Sequence, residues 1–515
     1  MDVEKYFSIL SAKKGWIFRR DYLPDRLRAL KEICETGDWR LIWRLIPFLK
    51  DKDREIQLAT SDAISNLLGN PVSKNINGES FKYCDISVSD IELFKSIFWE
   101  DRYLDLLIIA SSNHSGYVRE KAVHELGLSN ADRAIQFIIY RLGDWVPKVR
   151  EAAYKALVSF KNSAHIEGLI KNLPNFSRLK RIERVDLTSI YDLIIDYVVT
   201  ENTVSVRENF SSYPEKIRGI LGRLLSNAST FDAGDLQMFL NDPSPLVRLL
   251  AIDHFEDLGK TSISRLLKDK FSKVRLQILY KLQTQKDFTD LVRPYLADTS
   301  ASVRRFARYV LKDEAASFAK HYSNNLENGQ TIVPSLTGLA EVNGTKFSYQ
   351  VERYLDDPQL KVRKSALLAI MKLDESKAHS LAMSNLNSDF KGLRKISARF
   401  LEKRASQEVL EMAREIFGSG RPELRMEMLT MVSNIGGWRA VPDILTGTID
   451  ENEDVRDLAL RYLNLWKAKA ARLFTRPNSV ELSRIREVLS LVIAEHANKR
   501  FFEANPAEGF DFYLR

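Results

Sequence analysis

The chain has 515 residues, 44% hydrophobic and 28% charged, with a formal charge of +8 from 77 basic and 69 acidic side chains. This balance excludes a disordered chain and permits acidic partners without demanding them. Gly (22) and Pro (15) are sparse, which favours long helices over a loop-rich all-β fold, and two cysteines, Cys34 and Cys84, cannot build a disulfide framework or a cysteine-rich metal site. No apolar run approaches the ~18 residues of a membrane span. The opening MDVEKYFSIL is not a secretory signal, so the expected location is cytoplasmic.

In chain order, residues 1–38 read as an N-terminal helical cap that shields the first repeat. Residues 39–194 read as a first repeat segment, with LIWRLIPFLKDKD (41–53) as helix and turn. The stretch 69–88, rich in Gly, Pro, Asn and Ser, reads as a loop insertion. Residues 195–235 lose the repeat frame and are expected to form an irregular helical bend. A second repeat segment is expected over 236–480, with a degenerate copy inside 322–349. Residues 481–515 read as a helix and an aromatic tail, expected to pack back on the last helices.

One phrase organises this map: Asp, four variable residues, a branched apolar residue, Arg, then a small residue three further on. It occurs at Asp144/Arg150, Asp242/Arg248, Asp269/Arg275, Asp298/Arg304, Asp357/Arg363 and Asp450/Arg456. Weaker copies carry Arg119, Arg394 and Arg425, and with the copies at Asp51 and Asn175 eleven are framed. Arg363, Arg394, Arg425 and Arg456 are each 31 residues apart. The Asp is a preferred helix N-cap, which predicts a second helix starting there, with Pro243 and Pro358 at its first position. The apolar and small residues flanking the Arg lie four apart on one helix face. The recurrent Asp and Arg are therefore read as structural, the Arg pairing with a neighbouring turn. The predicted fold is an all-α right-handed solenoid of about 14 helix-turn-helix units.

The stretch AVPDILTGTIDENEDVRDLALRYL (440–463) carries the frame over a whole unit: Ala-Val-Pro opening helix A, Asp at the turn, Val-Arg in helix B. It resembles HEAT repeats of the armadillo-like class, in particular the short subclass named after phycobilisome lyase subunits. Tetratricopeptide and ankyrin signatures are absent. The resemblance implies a fold and says little about a task. HEAT-type deoxyhypusine hydroxylases carry repeated His-Glu pairs for iron, whereas only His124-Glu125 occurs here. Bilin lyases share the repeat frame alone. HEAT-like alkylpurine DNA glycosylases use a basic concave surface with exposed Trp and Asp. Of the tryptophans weighed for such a role, Trp39, Trp43, Trp99, Trp438 and Trp466 sit at apolar helix positions and read as core, and Trp145, beside Asp144, reads as exposed.

No phosphate loop, Gly-x-Ser-x-Gly elbow or metal-ligand spacing occurs, so no catalytic, cofactor or metal residue is assigned. Cys34 and Cys84 read as buried or inert. Positive charge is concentrated in two places. Residues 359–410 hold eleven basic and five acidic residues, including Lys395, Arg399, Lys403 and Arg404. Residues 461–480 hold Arg461, Lys467, Lys469, Arg472 and Arg476 with no acidic residue. At fixed offsets from the repeat Arg the sign does not persist, so the excess is local. The expected function is a non-enzymatic scaffold or adaptor that binds a protein partner on the concave face. The alternative is nucleic-acid binding through these basic residues, and a glycosylase or lyase-type subunit ranks last.

Overall fold

The computed structural model describes residues 3–11, 22–69, 79–470, 475–496 and 505–514; among them are 31 α-helices and no strand. Among the described residues no helix is long and apolar enough to cross a membrane. The chain divides into two compact units, residues 1–277 and 278–515.

Each unit is an α-solenoid, because each repeat has one apolar face per helix that only its neighbours can cover. In the first unit, helix A Asp132–Leu142 packs on helix B Pro147–Ser159, and that helix B packs on the preceding one, Gly116–Leu128. In the second unit the B helices Ile332–Glu341, Leu360–Leu373, Lys391–Glu402, Pro422–Ile435 and Glu453–Ala470 stack in sequence, with A helices such as Glu375–Asn385 and Gln407–Ser419 forming the other layer. The frame's apolar residues form the core: Val149, Val247, Val303 and Val455 are fully buried, as are the small residues Ala153, Ala251, Ala307 and Ala459. The degenerate copy expected within 322–349 supplies helix Ile332–Glu341.

The B helices approach closely where small residues face each other. A methyl at Gly127 would lie 2.7 Å from the Ala156 Cβ and 2.9 Å from its backbone Cα. Backbone cannot swing aside as a flexible side chain can. Gly127→Ala is therefore expected to destabilise the first unit by about 1–3 kcal/mol through overpacking. A urea midpoint unchanged from wild type would show that the two helices can separate freely.

The recurrent Asp does not cap its helix. Its carboxylate accepts from the backbone N–H two residues on: Val146 for Asp144 (3.0 Å), Ser244 for Asp242 (2.7 Å), Phe271 for Asp269 (2.8 Å), Ser300 for Asp298 (2.7 Å), Gln359 for Asp357 (2.8 Å) and Asn452 for Asp450 (2.8 Å). These are Asx turns that precede the helix. The helices start later, at Pro147, Pro245, Ala301, Leu360 and Glu453. Hence Pro243 and Pro358 lie in the turn, and Pro147, Pro245 and Pro422 occupy the first helical position instead. A short carboxylate folding back on its own turn wins here because it must also face the preceding repeat's arginine.

That arginine reaches forward. Arg119 donates Nε and Nη2 to the two Asp144 oxygens (2.9 and 2.8 Å), while Nη1 holds the Asn113 and His114 carbonyls (2.8 and 2.9 Å). Arg248 repeats the arrangement on Asp269 (2.7 and 2.9 Å) and on its own Asp242 carbonyl (2.6 Å). Arg218, absent from the sequence frame, makes the same fork to Asp242 (2.8 and 3.2 Å) and holds the Tyr213 carbonyl (2.6 Å). In the second unit Arg304 pairs with Glu341 and Arg394 with Glu427, so a glutamate replaces the turn aspartate. Arg425 meets Asp450 (3.4 Å) and Glu451 (2.9 Å). Arg150 and Arg456 hold their own turns, at the Asp144 and Asp450 carbonyls (both 2.8 Å). Arg275 likewise holds the Asp269 carbonyl (2.6 Å). Arg363 faces a turn with Ser388 in the aspartate position and lies over the Phe390 ring, 4.2 Å from its centroid.

Candidate partner-binding face

Because the frame consumes its own Asp and Arg, a partner must read other side chains. On the B layer of the first unit the exposed charges neutralise one another. Glu151 sits between Lys148 (3.5 Å) and Lys155 (2.9 Å), and Lys121 bridges Glu92 and Glu125. Glu125 also pairs with Lys95, which leaves the lone His-Glu pair as part of an ordinary ion cluster.

The second unit differs. Helix Leu360–Leu373 has no acidic residue, and Lys391–Glu402 has one, Glu402, which accepts from Asn434. Lys391, Lys395, Arg399 and Lys403 are all exposed and follow each other at four-residue steps, about 6 Å of rise each, on one helix face. On the neighbouring B helix Lys361, Lys364, Leu368 and Lys372 form a parallel row. The Lys364 ammonium end fills the space beside Gly392, so the two rows meet. Among the described residues these seven cations have no ion pair, and Leu368, 48% exposed, lies among them. Two cationic rows, one of them carrying an exposed apolar residue, match an extended chain whose alternate side chains, about 6.6 Å apart, are acidic.

The other expected contacts are placed differently. Arg404 is bound to Glu375 (2.6 Å) and lies on the Phe400 ring, so its charge is already engaged within the chain. Lys467 is taken by the C-terminal segment: its ammonium donates to the Pro506 and Glu508 carbonyls (3.2 and 3.3 Å). Burial holds the Lys467 pKa below the usual lysine range, against the opposing pull of Glu508. Arg461, Lys469 and Arg476 are exposed, and Arg472 lies outside the described residues. Lys361, Lys372 and Lys391 were missed individually, although their four-residue spacing with Lys364, Lys395 and Arg399 was visible within 359–410.

The aromatic residues correct the sequence reading in part. Trp43 and Trp99 are exposed (58% and 77%), not core, because each stands at the solvent side of its turn or helix end. Trp39 is half-buried against Phe81. Trp438 and Trp466 are core and Trp145 is exposed, as expected. The tail packs back: Phe510 stacks on Trp466 at 5.7 Å and is buried. Cys84 is buried, its thiol pushed up to about 12 by desolvation, and Cys34 is half-buried and also raised by burial.

No family model and no curated protein matches the chain. Among solved structures it is similar to importin beta at 12% identity, covering 96% of this chain and 64% of that one, with a TM-score of 0.27. It is also similar to Kap121p, at 10% identity, 99% and 77% coverage and a TM-score of 0.27. A third is the S. pombe condensin Cnd3–Cnd2 subcomplex, at 13% identity, 100% and 80% coverage and a TM-score of 0.28.

Proposed function

We propose that the protein is a non-enzymatic scaffold that holds an acidic segment of a partner protein across the B helices Leu360–Leu373 and Lys391–Glu402. The carrying observation is the pair of cationic rows, unpaired among the described residues, with the exposed Leu368 in one of them. An apolar centre inside a charged rim suits a protein segment. A nucleic-acid strand would use the same cations through its phosphates.

A photo-crosslinking residue in place of Leu368, used in cells of the protein's source, tests this. The expected adducts are protein segments rich in Asp and Glu that survive nuclease. The triple variant K395E/R399E/K403E is expected to lower their yield about tenfold, since complementary charge mainly governs capture. Adducts that vanish on nuclease treatment would transfer the face to nucleic acid. Adducts indifferent to charge reversal would remove the basic rows from the function.

A further inference from the structure

The first unit contains a pocket of about 530 Å³ beside the Asp144 turn, built from four separate stretches of chain. One wall is apolar and aromatic: Trp145, Tyr140, Ile139, Leu179 and Ile182. The other is cationic: Lys82 on the 79–83 turn, Arg178 at the end of helix Leu173–Leu179, and Arg184 in the turn beyond. Arg178 and Arg184 are exposed, and among the described residues neither they nor Lys82 has a carboxylate partner within ion-pair distance. The floor is the buried cluster in which Arg119 and Arg141 share Asp144 (2.8 and 3.1 Å), with Glu79 as the second carboxylate at the pocket. The charges of the described lining residues do not cancel: five cations, Lys82, Arg119, Arg141, Arg178 and Arg184, stand with two carboxylates, Glu79 and Asp144.

We infer that this pocket binds a nucleotide unit, with its phosphate on Arg178, Arg184 and Lys82 and its base against the Trp145 indole. Guanidinium forks match phosphate oxygens, and an exposed indole offers a stacking plane for any base. Trp145 is 68% exposed, although it stands one residue from a buried aspartate, so its ring is directed by the rigid turn beneath it rather than by packing. The free cations come from two of the four stretches, and the Trp145 indole from a third. That spread suits a ligand with a phosphate and a separate polar ring better than one compact phosphomonoester. The volume lies within the usual range of ligand pockets, about 300–1,000 Å³. The site is independent of the basic rows in the second unit.

Calorimetric titration of the full chain with AMP, adenosine and a six-residue single-stranded oligoadenylate tests the assignment. Trp145→Ala is expected to weaken the AMP or oligoadenylate complex roughly tenfold, the size of one lost stacking contact. Arg178→Ala/Arg184→Ala is expected to remove the preference for AMP over adenosine. These side chains are exposed and unpaired, so thermal midpoints should stay at the wild-type value. K395E/R399E/K403E should bind as wild type. Saturation by AMP itself would identify a free nucleotide as the source. Binding of the oligonucleotide alone, lost in the same variants, would identify a strand. The inference is overturned if neither probe binds, if the variants bind as wild type, or if a phosphotyrosine peptide binds more tightly than either.

Discussion

Asp144→Ala is expected to destabilise the first unit by about 3–5 kcal/mol, the cost of leaving buried charge without its partner. Asp144 accepts from Arg119 twice, from Arg141 and from the Val146 N–H, and the side chains of Asp144 and Arg119 are 2% and 4% exposed. The variant would leave two guanidinium groups facing an emptied turn. Asp144→Asn, which keeps the Val146 bond, should lose less. The pH dependence has a definite sign. Desolvation raises the Asp144 pKa, but the Arg119 hydrogen bonds, the Val146 N–H and the charges of both arginines outweigh it, and the net shift is downward. A depressed native pKa means stability that is present above the ordinary carboxylate range and lost as pH falls through the native value. Urea unfolding of wild type and variant at neutral pH, and again in the acid range below the ordinary carboxylate pKa, should show the gap narrowing. A neutral-pH difference below about 1 kcal/mol, the range of solvent-exposed pairs, would mean that the fork contributes little.

Trp466→Ala is the second large effect, at about 3–5 kcal/mol in the second unit. Trp466 stacks on Phe510 at an interplanar angle of 12°, meets Trp438 at 5.0 Å and Tyr513 at 5.6 Å, and donates Nε1 to the Gly437 carbonyl (3.1 Å). Its truncation removes the platform that holds residues 505–514. Two readouts should therefore move together: a lower urea midpoint and faster cleavage at Glu508 by a glutamate-specific protease. Phe510→Ala should accelerate the same cleavage with a smaller loss of stability, because it spares the Trp438–Trp466 contact. A Trp466→Ala protein whose Glu508 cleavage matched wild type would show that the tail is held by other contacts.

The helices and their core were legible because burial imposes a period. Val149, Ala153 and their counterparts had to recur on one face, and they did. The turn chemistry was legible in kind and misplaced in detail. Asp is favoured both as a cap and as an Asx-turn residue, and composition alone does not separate the two. Arg218 was hidden because Leu221 stands where its own repeat would carry the small residue, although the Asp242 it grips was plain. Glu341 and Glu427 were beyond reach, since a longer carboxylate meets the same guanidinium from a helix rather than from the turn. The basic rows were half legible. The cations follow a four-residue step along single helices, so equivalent positions in successive repeats do not share their sign. The Trp145 pocket was not legible, since its walls come from stretches near 82, 114, 141–145 and 175–184 that only folding brings together.

The forward reach of the arginines gives the molecule a direction. Arg119 needs Asp144, Arg218 needs Asp242 and Arg248 needs Asp269, each acceptor lying 21–25 residues later in the chain. During synthesis each of these three repeats leaves the ribosome without the carboxylate its guanidinium forks to and is completed only when the next turn emerges. Shortening the chain from its C-terminal side strands a buried cation at the new boundary. Shortening from the other side strands a carboxylate, which its own turn N–H still satisfies. Nested deletions from the two ends should therefore lose solubility asymmetrically, with the C-terminal series failing first.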